Sequence, residues 1–388
     1  MFGVYIHFPY CRKRCPFCDF AVHARERIPH DRYERAVTAE LDARAPLFAG
    51  REAVSLYFGG GTPGLWRPDC VKRVISAIRA VFAPVHPIAE ITLEANPDAL
   101  SAEQLAGFRD AGVDRLSLGV ESLDPRHLRT LGRLHGPDEP RAVVREARRA
   151  GFTRLSLDLM FALPGQTLAQ LDRDLDGMLA MEPDHLSIYN LTVEERTPFG
   201  AMRREGTLKL PDSGLQADMY QRVIERLRAG GFEHYEISSF ARPGRRAVHN
   251  TLYWTGGEYL GLGSSAHSHR RMAGGGGERF STVRSVDDYF ANVARAGGVA
   301  LAEDPLVAHY EALDAAALER EAVWLGLRLT DGIVRSEHRA RHGADPVERH
   351  AAEIARLQHE GLVEVTADRL KLTARGVLFA DEVGARFL

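Results

Sequence analysis

Cysteine is scarce in this chain, four in 388 residues, and three of the four, Cys11, Cys15 and Cys18, fall in one short stretch. Thiols so few and so unevenly placed do not fit a disulfide-stapled secreted fold, and the solitary Cys70 reads as a small core residue. Lysine is nearly missing too: Lys13, Lys72, Lys209 and Lys371 are all there are, so arginine carries the positive charge. Neither sign of charge prevails, and a net charge of −3 with 27% charged residues lacks the footprint of a nucleic-acid binder. No apolar run reaches the length that crosses a bilayer, and no leader-like segment opens the sequence. A cytoplasmic protein of two or three domains is expected, with membrane contact at most transient.

What is present is the spacing C-x3-C-x2-C. Three thiolates this close can hold three irons of a [4Fe–4S] cube and leave the fourth iron to a non-protein ligand. The spacing alone leaves a zinc site open as well, with His7 or His23 as fourth ligand. Arg12, Lys13 and Arg14 sit among the cysteines, where positive charge is expected to lower thiol pKa values and offset the charge of a cluster.

From Val4 to about Val193, β-rich runs alternate with amphipathic stretches. The predicted strands are Val4–His7, Ser55–Phe58, Glu90–Ala95, Arg115–Val120, Arg154–Met160 and His185–Leu191. Helices are predicted over Asp31–Leu47, Pro68–Phe82, Ala102–Ala111, Pro140–Ala150 and Leu168–Met181. This α/β pattern calls for a parallel sheet with helices outside, an open (β/α)6 partial TIM-type barrel; a doubly wound sheet is the alternative. In such barrels chemistry gathers at the C-terminal strand ends. Those ends carry the cysteine loop, Gly59-Gly60-Gly61-Thr62-Pro63, Glu94, Glu121, Asp158 and Thr192. A second glycine run, Gly274–Gly277, follows no β-rich stretch and reads as a flexible loop.

The last third reads as helices at Glu319–Leu329 and Pro346–Glu360, then a ribbon of Leu362–Val365 and Arg369–Leu372, a winged-helix-like order. DNA binding does not suit it, because residues 301–388 hold 11 Lys and Arg against 16 Asp and Glu. A cover for the barrel mouth or a docking surface is expected instead. The division is 1–195 for the barrel, 196–300 for an extension and 301–388 for the C-terminal domain.

The segments YIHFPYCRKRCPFCDF, YFGGGTP, EITLEANP, RLSLGVES, LGRLHG, LDLMFALPGQT, HLSIYNLT, YEISSFARPG and HNTLYW carry a resemblance spanning nearly the whole chain. The sequence resembles radical S-adenosylmethionine (SAM) enzymes, and within them the oxygen-independent coproporphyrinogen III oxidase group. The resemblance implies that Cys11, Cys15 and Cys18 bind a [4Fe–4S] cluster whose open iron is chelated by SAM. Tyr5 and Phe17 would flank SAM, Gly60, Gly61 and Thr62 would meet its methionine end, and Glu94, Arg133, Asp158 and Thr192 would complete the pocket. Glu121 departs from the pattern by standing where the group usually has glutamine, so a contact that needs a donor is lost when the acid is ionised. Phe20 stands where the oxidases have a further cysteine, which shifts the expectation towards the heme-chaperone branch. His249-Asn250-Thr251-Leu252-Tyr253-Trp254 matches that branch's HNxxYW motif, making His249, Asn250, Tyr253 and Trp254 candidates for heme. Read from the residues alone, the same segment is a turn that sends Tyr253 and Trp254 into a core. His267 and His269 are lesser candidates. Heme, an acceptor protein and an electron donor are the implied partners; oxidative decarboxylation of porphyrinogen propionates is the alternative activity.

Overall fold

The first strand sets the pattern of the whole molecule. In β1 (Phe2–Phe8) the side chains of Phe2, Val4, Ile6 and Phe8 on one face are fully buried, and on the other face His7 is buried and Tyr5 half-buried, as expected for a strand covered on both faces. The computed structural model, which describes residues 1–82 and 86–388, carries this strand into the middle of a twelve-stranded sheet. From β1 the parallel ladder runs through β2 (Ala53–Gly60), β3 (Glu90–Ala95), β4 (Arg115–Glu121), β5 (Arg154–Phe161) and β6 (His185–Asn190), each beside its predecessor. Helices α1 (His30–Arg44), α2 (Pro68–Phe82), α3 (Ala102–Ala111), α4 (Glu139–Arg149) and α5 (Leu168–Leu179) fill the crossovers. The expected open (β/α)6 barrel is there, with strand bounds within two residues of the sequence reading.

The sheet extends further than its repeat. After α6 (Ser213–Ala229), β7 (Glu233–Glu236) and β8 (Ser239–Ala241) close one edge in antiparallel fashion. The short helix α7 (Val248–Trp254) follows, and β9 (Glu258–Leu262) then pairs parallel with β1 on its other side. Beyond it lie β10 (His267–Arg271), β11 (Gly277–Thr282) and β12 (Val307–Leu313), all antiparallel. The run Gly274–Gly277 is therefore the tight turn of the β10–β11 hairpin, not a loop without flanking strands. The expectation failed because β10 reads His-Ser-His-Arg-Arg, a composition with no β-rich signal. Far from this hairpin in sequence, the buried guanidinium of Arg44 at the end of α1 meets Asp304 at 2.7 Å.

The last third has its own core, built on Val323, Leu327, Ile354, Leu357, Leu370 and Val383. Its helices α8 (Ala315–Gly326), α9 (Arg335–His342) and α10 (Ala351–His359) carry a three-stranded sheet of β13 (Ile333–Val334), β14 (Val363–Val365) and β15 (Arg369–Leu372), ordered β13-β15-β14. The winged-helix-like reading holds. This unit docks on the β7 side of the barrel, where Ile237 N–H donates to Arg328 O (3.1 Å) and Thr330 N–H to Tyr235 O (3.1 Å).

Candidate functional site

The cysteine loop leaves β1 and is stitched to the glycine loop that leaves β2. Gly61 N–H donates to Phe8 O at 2.7 Å and Thr62 N–H to Tyr10 O at 2.9 Å. A Cβ at Gly61 would stand 2.6 Å from Tyr10 O and 2.8 Å from Phe8 O, so only glycine lets the two loops lie this close. Gly60 adopts φ +106°, a conformation that disfavours any side chain. Thr62 Oγ1 lies 3.5 Å from Cys11 Sγ, and the Arg133 guanidinium 3.8 Å from Cys15 Sγ.

The donor set fits a cluster better than a single ion. Tetrahedral zinc would draw its sulfurs to about 3.8 Å from one another, given Zn–S bonds of about 2.3 Å. Among the described residues the three cysteine sulfurs do not gather within 4.8 Å. His7 is also spoken for: its Nδ1 pairs with Tyr5 OH (3.1 Å) and its Nε2 with Ala21 O (3.0 Å). Burial pushes the Cys11 thiol up to about 11 and raises Cys18 as well. Arg14 lowers Cys18 as expected and Arg133 lowers Cys11, but burial outweighs both. Arg12 turns away to Asp98 and Arg14 to the carbonyl of Cys18, so the cation on a sulfur is Arg133, from another loop.

Above the strands lies a cavity of about 370 Å³ into which Cys11, Cys15, Cys18, Phe17, Gly60, Gly61, Thr62, Glu94, Glu121, Arg133 and Asp158 all open. Three half-buried acids share it. Tyr57 OH donates to Glu94 at 2.6 Å and Gly60 N–H to the other carboxyl oxygen at 3.3 Å, yet burial still pushes Glu94 up to about 7. Burial, reinforced by Asp158 and opposed by Arg133 at 3.9 Å, does the same to Glu121, up to about 7. Asp158, bonded to Ser117 Oγ at 3.3 Å, is pushed by burial to about 6. Arg133 spends its Nη2 on Asn96 Oδ1 (2.7 Å) and Gly119 O (2.5 Å) instead of pairing tightly with Glu121.

Two of the expected mouth residues stand elsewhere. Tyr5 is packed below the cavity, its ring against Tyr57 and His249. Thr192 lies past the end of β6, exposed, and does not line the cavity. The HNTLYW segment forms α7 at the opposite, N-terminal end of the strands. His249 is 1% exposed beneath β1, with Nδ1 on Ser55 Oγ (2.9 Å) and Nε2 on Tyr253 OH (2.9 Å), and burial takes its pKa down to about 4. Asn250 and Trp254 are half-buried, and the Arg328 guanidinium lies 4.6 Å from the Trp254 ring centre.

Comparison with known proteins gives the arrangement its lineage. The sequence model of the Radical SAM superfamily matches residues 5–177, and that of the HemN C-terminal domain matches 313–379. The heme chaperone HemW of Bacillus subtilis is 33% identical over 388 residues, covering 100% of this chain and 99% of that protein. HemW of Mycobacterium tuberculosis is 38% identical over 385 residues, covering 98% and 93%. The chain belongs to the HemW family of radical SAM proteins. Its fold also matches the solved structure of coproporphyrinogen III oxidase (HemN) from Escherichia coli, described as a radical SAM enzyme, with a TM-score of 0.82 and 26% identity over 100% of this chain and 89% of that one.

Seen in this HemW-family chain, the mouth recruits residues that sequence reasoning missed. Asn96, Ser117, Met160 and Tyr189 line the cavity; Ser117 shares a strand face with Glu121, and Met160 shares one with Asp158, which is the signal that could have found them. Phe20 stands at the rim, 66% exposed. Among the described residues nothing beyond Tyr189 lines this cavity, so the C-terminal domain is not the cover expected for it. Asp31, Asp69 and Cys70 also come together, but Arg67 and Arg73 already hold their oxygens.

Proposed function

We propose that the protein is a heme chaperone: it binds heme, carries it and releases it to an acceptor protein, with a [4Fe–4S] cluster and SAM in the barrel mouth assisting or controlling transfer. The single observation that carries this reading is Phe20. At the rim of the mouth, where the oxidases place a further cysteine, this chain exposes an apolar ring, while Cys70 is buried elsewhere. The full-length likeness to proteins named heme chaperone supports the same reading.

Cys11, Cys15 and Cys18 would hold the cluster. Glu94, Glu121, Asp158 and Arg133 would hold SAM with Phe17 and the glycine loop, since carboxyls suit hydroxyl and amino groups and a guanidinium suits a carboxylate. Tyr5 and Thr192 would act from beneath and beside that pocket. When bound, the pair supplies one-electron reductive chemistry at the sulfonium. The protein's part is to orient the ligand, exclude water below the mouth and keep the acids protonated enough to donate as well as accept. A division at about 195 and 300 is part of the proposal; the separate core of the C-terminal unit supports a boundary in this region, although β12 (Val307–Leu313) still belongs to the barrel sheet.

The whole-chain likeness to HemN favours one rival, a porphyrinogen decarboxylase. Anaerobic reconstitution followed by hemin titration and a coproporphyrinogen III turnover assay separates the two. Stoichiometric hemin binding without turnover is expected. Catalytic conversion to protoporphyrinogen IX would overturn the chaperone reading.

A further inference from the structure

At the far end of the barrel from the cysteines, Trp254 stands between two open cavities at the seam of α7 with α8 and α9. One, of about 200 Å³, is walled by Trp254, Ile333, Val334, His338, Arg341 and His342. The other, of about 270 Å³, is walled by Trp254, Tyr259, Arg271, Leu318, Trp324 and Leu325. Ala322 belongs to both walls. Each is mostly apolar with cations at its edge.

The arginines at this seam have carbonyl partners and no acid partner. Arg271 and Arg341 reach the neighbouring carbonyls of Gly256 and Thr255, and Arg369 the carbonyl of Asp331. Among the described residues none of the three meets a carboxylate within 4.0 Å, although arginine is paired with acids over much of the chain. The nearby acids are engaged or at the rim: Asp331 with Arg246 (2.6 Å), Glu258 with Arg51 (3.0 Å), Glu321 in the wall of the second cavity with Arg279, and Glu337 exposed. Arg271 is held below its ordinary pKa by burial and then by Arg341, with Glu258 opposing them only in part. His338 is 6% exposed, its Nδ1 on Ala344 O (3.2 Å), and its buried Nε2 has no hydrogen-bond partner, with the Glu319 carboxylate only as near as 3.7 Å. Trp254 Nε1 is buried and unpartnered as well. His342, its ring centre 4.6 Å from that of His338, is half-buried, and burial and His338 hold it neutral at pKa about 3.

Apolar walls, an indole plate, a free imidazole and unpaired arginines describe the complement of one ligand class, a flat apolar dicarboxylate with a metal at its centre. We propose that heme docks at this seam, one edge of the macrocycle beside Trp254, its propionates on Arg341 and Arg271, and His342 as the imidazole on iron. This rests on the heme-chaperone reading above and changes the role of HNTLYW: Trp254 supplies a wall, while His249 faces the other way and ligates nothing. A half-open pocket suits cargo that has to leave.

The test uses the full-length protein, hemin and Soret spectra, with His342→Ala, the double variant Arg271→Glu/Arg341→Glu, and hemin dimethyl ester as a probe with its carboxylates capped. His342→Ala should move the Soret maximum and weaken binding about tenfold, and the arginine variant should weaken binding about tenfold with the maximum kept, since each loses roughly one good interaction. Wild-type protein should bind the ester correspondingly less well, a comparison that no folding defect can imitate. Failure of wild-type protein to bind hemin would overturn the heme reading itself. Wild-type binding that neither His342→Ala nor the arginine variant alters, with the ester bound as tightly as hemin, would overturn the seam alone.

Discussion

Glu121 sits at φ +63°, a backbone conformation that costs a residue with a Cβ about 1 kcal/mol, in a pocket where the acid replaces an amide. A protonated carboxyl donates and accepts as an amide does, so the substitution is tolerable while the proton stays on. The ordinary value of 4.5 and the folded value of about 7 fix the sign. Burial of this acid is fully tolerated below about pH 4.5, and the accompanying stability is lost as pH rises through 7. Relative to Glu121→Gln, the cluster-free protein should lose up to about 2 kcal/mol between pH 5 and 8, read from urea midpoints. SAM affinity of the reconstituted protein should fall over the upper half of that range in wild type and stay level in the variant, by equilibrium dialysis. His249 poses the converse case. With both nitrogens bonded inside the barrel, His249→Ala should lower stability by about 2–4 kcal/mol through a cavity and a stranded Ser55 hydroxyl. Hemin affinity per folded molecule should be unchanged in a titration corrected for the unfolded fraction. The cysteines could be read from sequence because their spacing is local. Tyr5 and Thr192 could not be placed, because one residue of register decides which way a strand residue points and where the chain leaves the sheet.

At the scale of elements, the β1 and β2 loops act as one piece because Gly61 lets backbone touch backbone. Gly61→Ala should part them. The expected result is a folded protein, by circular dichroism, that takes up markedly less iron and sulfide on reconstitution and shows a weakened absorbance near 400 nm. The six βα units were legible because their strands carry an apolar row on one face, as Leu116, Leu118 and Val120 do, and their helices are amphipathic. The capping boxes Ser101–Gln104 and Thr167–Gln170 mark the starts of α3 and α5 in the same plain way. The strands β9 to β12 were not legible. They carry polar residues and form a chain of pairings in which β9 takes the free edge of β1 and each later strand takes the edge of the one before.

For the molecule as a whole, contacts across hundreds of residues hold the added strands to the barrel. Arg44 and Asp304 are both buried, and Asp304 also accepts from Gly297 N–H and Leu306 N–H, at 2.8 Å each. Removing the cation in Arg44→Ala strands that carboxylate and should cost about 3–5 kcal/mol, seen as a lower urea midpoint. No sequence pattern announces a pair 260 positions apart. The open mouth has a practical consequence. With no described residue beyond Tyr189 at its wall, the three cysteine sulfurs and any cluster they hold stand within reach of whatever the solvent carries, dioxygen included. Brown reconstituted protein should therefore bleach on exposure to air while its circular dichroism stays constant, and the useful lifetime of a preparation is set by gas exchange in the vial.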